Sequence, residues 1–165
     1  METARTIFSK PNSADYEDLL GLYTNKSVRK HLGGTVTKAE FDEKFEDFFS
    51  AKSPECYWVV REKDTNRFIG LVSISKHHDK EHFEISYELN PDFWGKGFGT
   101  ETVEKGVNYA FNELKLKELY AETQKKNLKS IKLLEKIGFE FIEEVERYRE
   151  KQVIYTKINT SPNSV

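Results

Sequence analysis

The segment Phe93-Trp94-Gly95-Lys96-Gly97-Phe98-Gly99-Thr100-Glu101 combines residues able to hold an anion. Its glycines at alternate positions follow a strand-like run, Phe83 to Leu89, and open a run with helical spacing. Glycine tolerates positive φ and lets backbone approach a ligand closely. The first turn of a helix leaves N–H groups without internal partners, and its dipole favours negative charge. A glycine-rich turn feeding a helix N-terminus is therefore a phosphate cradle. A Walker A loop requires G-x-x-x-x-G-K-S/T, which the chain lacks. A dinucleotide fingerprint requires G-x-G-x-x-G early in a βαβ unit. Counted from Gly95, its third glycine falls on Thr100, and antiparallel strands precede the turn.

Other reactive side chains give weaker signals. Cys56 is the only cysteine, so it forms no internal disulfide, which fits a reducing cytoplasm. It lies in the strand-like run Cys56-Tyr57-Trp58-Val59-Val60 with no adjacent base, so it reads as a packing residue. His77, His78 and His82 cluster, but with Asp79 and Lys80 they read as a solvated hairpin turn, and no metal site is expected. The 26 basic and 28 acidic residues nearly balance, which argues against nucleic acid as the partner. The N-terminus reads as lacking a signal peptide. No segment approaches the roughly 20 apolar residues of a membrane span.

The elements that must position these groups follow from periodicity. Thr3 to Ser9 reads as a strand. Pro11-Asn12-Ser13 offers a helix start, with Tyr16, Leu19, Leu20 and Tyr23 at helical spacing. Residues 25 to 34 read as a loop or short broken helix. Thr37-Lys38-Ala39-Glu40 is a capping box, and Phe41, Phe45, Phe48 and Phe49 form an apolar face behind it. Residues 55 to 63 and 67 to 75 form a hairpin, and a third strand ends at Leu89. Val103, Val107, Ala110, Phe111 and Leu114 mark a helix, and 118 to 123 a strand. Residues 127 to 137 are helical, with Leu128, Ile131, Leu134 and Ile137 on one face and Gly138 as a left-handed stop. Residues 139 to 147 and 153 to 158 complete the sheet. The expectation is a single mixed α/β domain over 1–158, with a disordered tail over 159–165.

In this order the motifs resemble the GNAT-type N-acetyltransferases. The family pattern Q/R-x-x-G-x-G/A is met from Trp94 to Gly99 except that Trp94 stands first. That aromatic, with Phe68-Ile69-Gly70-Leu71-Val72, Glu84-Ile85-Ser86-Tyr87-Glu88-Leu89, Asn127-Leu128-Lys129-Ser130 and Leu134-Glu135-Lys136-Ile137-Gly138-Phe139, resembles the branch containing the ribosomal-protein N-terminal acetyltransferases. The resemblance implies a mostly antiparallel mixed sheet of about seven strands, bulged in the fourth strand, splayed between the fourth and fifth, and flanked by about four helices. It implies acetyl-CoA as co-substrate, held by Trp94, Gly95, Lys96, Gly97, Phe98, Gly99 and Thr100, with its arm near Leu89, Asn127 and Ser130. Lys125, Lys126, Lys129 and Lys132 form a basic face near the helix start, read mainly as surface charge, with one of them able to meet the cofactor's 3′-phosphate.

By the same resemblance Glu84 is the base and the N–H of Leu89 or Asn90 the oxyanion donor. Ser130 resembles the serine that this branch places near the sulfur, and Leu134 stands where many relatives carry a tyrosine acid. Glu88, four residues along the strand from Glu84 and on the same face, is the second candidate base. Residues 25–36 and the Phe41 helix would wall the acceptor site, with Arg29, Lys30 and His31 facing an acidic acceptor. The acceptor is a protein N-terminal α-amine or a small-molecule amine such as a polyamine. A non-catalytic acyl-CoA-binding module remains the alternative. A cytoplasmic monomer or homodimer, free of nucleic acid and membrane, is the expected setting.

Overall fold

The computed structural model describes residues 1–160, so positions 161–165 of the expected tail lie outside it. Asn159, at the start of that tail, is fastened: its N–H donates to the Lys117 carbonyl at 2.8 Å.

Seven strands form one sheet: β1 (Thr6–Ser9), β2 (Cys56–Glu62), β3 (Phe68–Lys76), β4 (Phe83–Leu89), β5 (Glu118–Gln124), β6 (Glu140–Arg147) and β7 (Glu150–Ile158). Their spatial order is β1-β2-β3-β4-β5-β7-β6. Five helices cover it: α1 (Tyr16–Thr24), α2 (Lys26–Arg29), α3 (Lys38–Ser50), α4 (Phe98–Asn112) and α5 (Leu128–Lys136). Every strand pair is antiparallel except β4 with β5, which are parallel and share one registered pair, Glu84↔Tyr120. Beyond that pair the two strands diverge, and the sheet opens toward Leu89.

The expected bulge in β4 is not in the ladder. Its register with β3 runs unbroken from Gly70↔Leu89 to Lys76↔Phe83; the register shifts fall instead in the β2–β3 ladder, where Val60 and Arg61 pair with Gly70 and Phe68 and skip Ile69 of β3, and in the β6–β7 ladder between Phe141 and Glu143. The opening therefore comes from divergence of a parallel pair, not from an inserted residue. Gly70 shows how tightly β3 and β4 remain joined there. A Cβ at this position would lie 2.2 Å from the Glu88 carbonyl oxygen and 2.9 Å from Leu89 Cα.

Each face of the sheet has its own core. On one, α4 and α5 bury Phe98, Val103, Val107, Ala110 and Leu134 against Val72, Ile74, Ile85 and Leu119. On the other, α1 and α3 bury Leu19, Tyr23, Phe41, Phe45 and Phe48 against Val59, Phe68 and Leu71. The Thr37 capping box forms as its sequence requires, with Glu40 Oε2 accepting from the Thr37 N–H at 2.7 Å. Two residues assigned to apolar faces depart from them. Phe49, one step past buried Phe48, is 45% exposed, and Leu128, at the first residue of α5, is 63% exposed.

Alternation along β4 sends Ile85, Tyr87 and Leu89 toward the α4 side. Glu84, Ser86 and Glu88 therefore face the α1–α3 side.

Candidate active site

The glycine turn closes the open end of the split. Gly95 and Gly97 adopt φ of +71° and +84°, which side-chain-bearing residues rarely hold, and Gly97 is the N-cap of α4. No side chain caps that helix, so its first-turn N–H groups face outward. Arg5 clamps the turn. Its Nη1 donates to the Lys96 carbonyl at 3.1 Å, its Nε donates to Glu101 at 2.7 Å, and its guanidinium lies 4.1 Å over the Phe98 ring. Arg5 carried no motif signal, because its partners lie more than ninety residues away in sequence. Lys96 Nζ donates to the Asp92 carbonyl at 2.7 Å, within its own turn.

Trp94, the departure from the family pattern, has a defined task. Its indole N–H donates to the Leu89 carbonyl at 2.8 Å and so holds the end of β4. The Asn90 N–H donates to Ile69 of β3 at 2.7 Å. Backbone alternation then turns the Leu89 N–H away from β3, into the gap facing β5. The Leu89 side chain and Leu133 lie against Gly99, where a Cβ would meet them at 3.4 and 3.0 Å.

Ser130 stands in the first turn of α5, with Oγ 2.7 Å from the Tyr87 hydroxyl. Sequence reasoning missed Tyr87. The available signal was a tyrosine on the buried face of β4, since a buried phenol needs a polar partner. Burial pushes its pKa up to about 12, against the opposing Ser130 hydrogen bond. Asn127 caps α5, its Oδ1 accepting from the Ser130 N–H at 3.4 Å while its Nδ2 donates to Thr123 at 3.1 Å. Leu134 is 1% exposed in the core. Of the basic face near α5, Lys126 pairs with Glu150 and Lys125 with Glu144, whereas Lys129 lies 4.9 Å over the Trp94 ring beside the turn.

On the opposite face of β4, Glu84 sits in a charged cluster. Burial pushes its pKa up to about 7; His77 and Arg147 oppose this, while Glu122 and Asp79 reinforce it. His77 corrects the reading of a solvated turn: it is 3% exposed, and its Nε2 lies 2.9 Å from Glu122 Oε2. Arg147 donates to the same oxygen at 2.7 Å. Ligand atoms of His77, Glu84 and Glu122 come within 4.8 Å of one another, a spacing a cation could bridge. The ring nitrogen and the guanidinium already engage Glu122.

Glu88 is ion-paired to Arg29 at 3.0 Å, and burial raises its pKa against that pairing. Its Oε2 has no hydrogen bond; the Tyr23 hydroxyl is close enough to feel its charge but falls short of one. Arg29 also donates to the carbonyls of Leu32 and Gly34. It is thus turned inward as a structural tie, and the expectation that it faces an acidic acceptor is corrected. Cys56 lies in β2, its thiol pushed up to about 12 chiefly by burial, which removes it as a nucleophile.

A sheet split between parallel strands, with a glycine turn and an uncapped helix N-terminus at its mouth and polar groups on both faces, is the frame in which the family assignment falls. Residues 5–140 match the model of the acetyltransferase (GNAT) domain, and the chain belongs to that family of acyltransferases. The uncharacterised N-acetyltransferase YoaA of Bacillus subtilis is 29% identical over 147 residues, covering 85% of this chain and 82% of its own. The spermidine N(1)-acetyltransferase of Escherichia coli is 27% identical over 144 residues, covering 84% and 75%. The spermidine N-acetyltransferase of Vibrio cholerae, solved with CoA and spermine, superposes with a TM-score of 0.83 over 96% of this chain and 98% of that one. At 18% identity that likeness speaks for the fold alone. Among the described residues, no helix is long and apolar enough to cross a membrane.

Proposed function

We propose that the protein transfers the acetyl group of acetyl-CoA to a primary amine by direct attack in a ternary complex. The observation that carries this reading is the two-sided arrangement around the β4–β5 split. Glu84 faces one side of β4, the Tyr87–Ser130 hydroxyl pair faces the other, and the uncapped α4 N-terminus stands at the mouth. Acetyl-CoA supplies the activated acyl group. The amides from Gly95 to Thr100 bind its diphosphate, where helix-terminal charge alone contributes about 0.3–1 kcal/mol and direct N–H bonds add more.

The amine arrives on the Glu84 side. A carboxylate titrating near 7 takes its proton directly or through one water, and such a base contributes about 10²–10⁴-fold. The Leu89 N–H, aimed into the gap, stabilises the developing oxyanion by about 3 kcal/mol. The Tyr87–Ser130 pair hydrogen-bonds the departing sulfur from the far side. The high pKa of Tyr87 makes it a poor proton donor, so its contribution is the hydrogen bond itself.

For the acceptor we favour a small-molecule amine of polyamine type over a peptide N-terminus. The support is the relative that acts on spermidine, together with Glu84 as the carboxylate on the acceptor side of β4. An acceptor panel of spermidine, single amino acids and short peptides, read by thiol release from acetyl-CoA, tests it. Turnover is expected with the polyamine first. Peptide-only turnover would overturn the acceptor choice, and no turnover with any amine would overturn the reaction.

A further inference from the structure

We propose that His77 is a positioning residue for the acceptor half of the site: clamped between Asp79 and Glu122, it holds a positive charge against Glu84 and sets the pH at which that carboxylate can accept a proton. The inference rests on Glu84 being the base, as proposed above.

The turn between β3 and β4 is built to hold this ring. The His77 N–H donates to the His82 carbonyl at 2.9 Å, and the Lys80 N–H to the His77 carbonyl at 2.8 Å. Asp79 Oδ1 accepts the N–H groups of Glu81 and His82 at 2.9 and 3.0 Å. Its Oδ2 meets His82 Nδ1 at 2.7 Å. His82 in turn stacks on Tyr120 of β5 at 4.1 Å, and the His77 ring meets the same tyrosine edge-on at 5.4 Å.

Both nitrogens of His77 face carboxylates: Nε2 lies 2.9 Å from Glu122 Oε2 and Nδ1 lies 3.0 Å from Asp79 Oδ2. A neutral ring carries one N–H, so one nitrogen would present its lone pair to an anionic oxygen. Neutrality would leave Nδ1 accepting the Asp79 N–H at 3.4 Å, a longer contact than the one it opposes. The side chain is 2% exposed, so water does not screen the arrangement. The imidazolium is the state this geometry fits.

Glu84 meets His77 and Asp79 from the turn, Glu122 from β5 and Arg147 from β6. With His77 charged, two cations face Glu84 and two other carboxylates. With His77 neutral, Arg147 alone opposes three carboxylates, and Glu84 holds its proton to higher pH.

Nitrogen-15 NMR of the wild-type imidazoles tests the charge without any substitution. His77 is expected to keep both ring protons above its ordinary titration point of about 6.5. A ring neutral at pH 7 overturns the proposal. In Glu84→Gln the titration point of His77 is expected to fall, because the coupling is reciprocal, and this holds whether or not Glu84 is catalytic. In His77→Gln the acidic limb of kcat/KM is expected to move upward by about one pH unit. An unmoved limb in a folded variant, checked by its thermal transition, overturns the proposal. If instead Glu84→Gln keeps wild-type activity and pH profile, the base assignment fails while the NMR result still reports on His77.

Discussion

Glu84 illustrates what a poised base costs its own fold. Its carboxyl titrates near 7 in the folded chain, against about 4.3 in the unfolded one. Between those values the folded state binds more protons, so stability falls as pH rises through the window and stays lowered above it. Glu84→Gln removes that penalty. The variant is expected to melt higher than the wild type at about pH 8, with the difference vanishing near about pH 4. Its kcat/KM is expected to fall by about 10²-fold. Thermal melts at the two pH values check the first part, and equal wild-type and variant stability at high pH would show that Glu84 ionises without strain. On the other face, Tyr87→Phe deletes the hydroxyl paired with Ser130. A hydrogen bond of ordinary strength makes this worth about tenfold in kcat with KM for acetyl-CoA near its original value. Unchanged turnover would remove the pair from the chemistry. With a pKa near 12, Tyr87 is also expected to add no basic limb to the profile below about pH 11.

At the level of elements, the glycine turn, the Thr37 capping box and the strand runs were legible because each is a local signal. The Thr37 box, the Gly97 cap of α4 and the Phe83–Leu89 strand all form where residue type and period place them. What stayed hidden depends on contacts between distant segments. Arg5 reaches the turn from the first strand's approach, His77 is buried against Glu122 and Tyr120 of β5, and Tyr87 finds its partner on α5. No spacing rule encodes such contacts. The inward turn of Arg29 is of the same kind, since a basic residue in that segment reads as facing an acidic acceptor until Glu88 is seen beneath it. Gly70 gives the sharpest test of how β3 and β4 meet. Gly70→Ala drives a Cβ into the Glu88 carbonyl, which is backbone and cannot swing aside as a side chain can. The strands must separate beside Leu89, so a loss of about 1–3 kcal/mol is expected, together with weaker acetyl-CoA binding. Denaturant unfolding and a binding titration check the two effects. A stable variant with intact affinity would mean that the β4 end is not fixed by this contact.

For the whole molecule, the decisive feature is that one sheet is made of two halves. Strands β1 to β4 and strands β5, β7 and β6 are each tied by long antiparallel ladders, and the single pair Glu84↔Tyr120 registers one half against the other. Further ties include helices α4 and α5 on one face, His31 on Gln124, and the His77–Glu122 and His82–Tyr120 contacts near the closed end. A donor whose diphosphate sits on α4 and whose arm lies in the gap would touch both halves at once. Its binding energy then appears as added stability, about 2.7 kcal/mol at one hundred times the dissociation constant. The expected result is a rise in the thermal midpoint with acetyl-CoA. Slower hydrogen exchange should accompany it at Leu89, along Gly95 to Thr100, and on the β5 amides that face the gap. The pattern matters more than the size of the shift. Protection confined to the turn would mean that the diphosphate binds while the arm lies elsewhere, and the gap would then lose its role as the place where acyl group and amine meet.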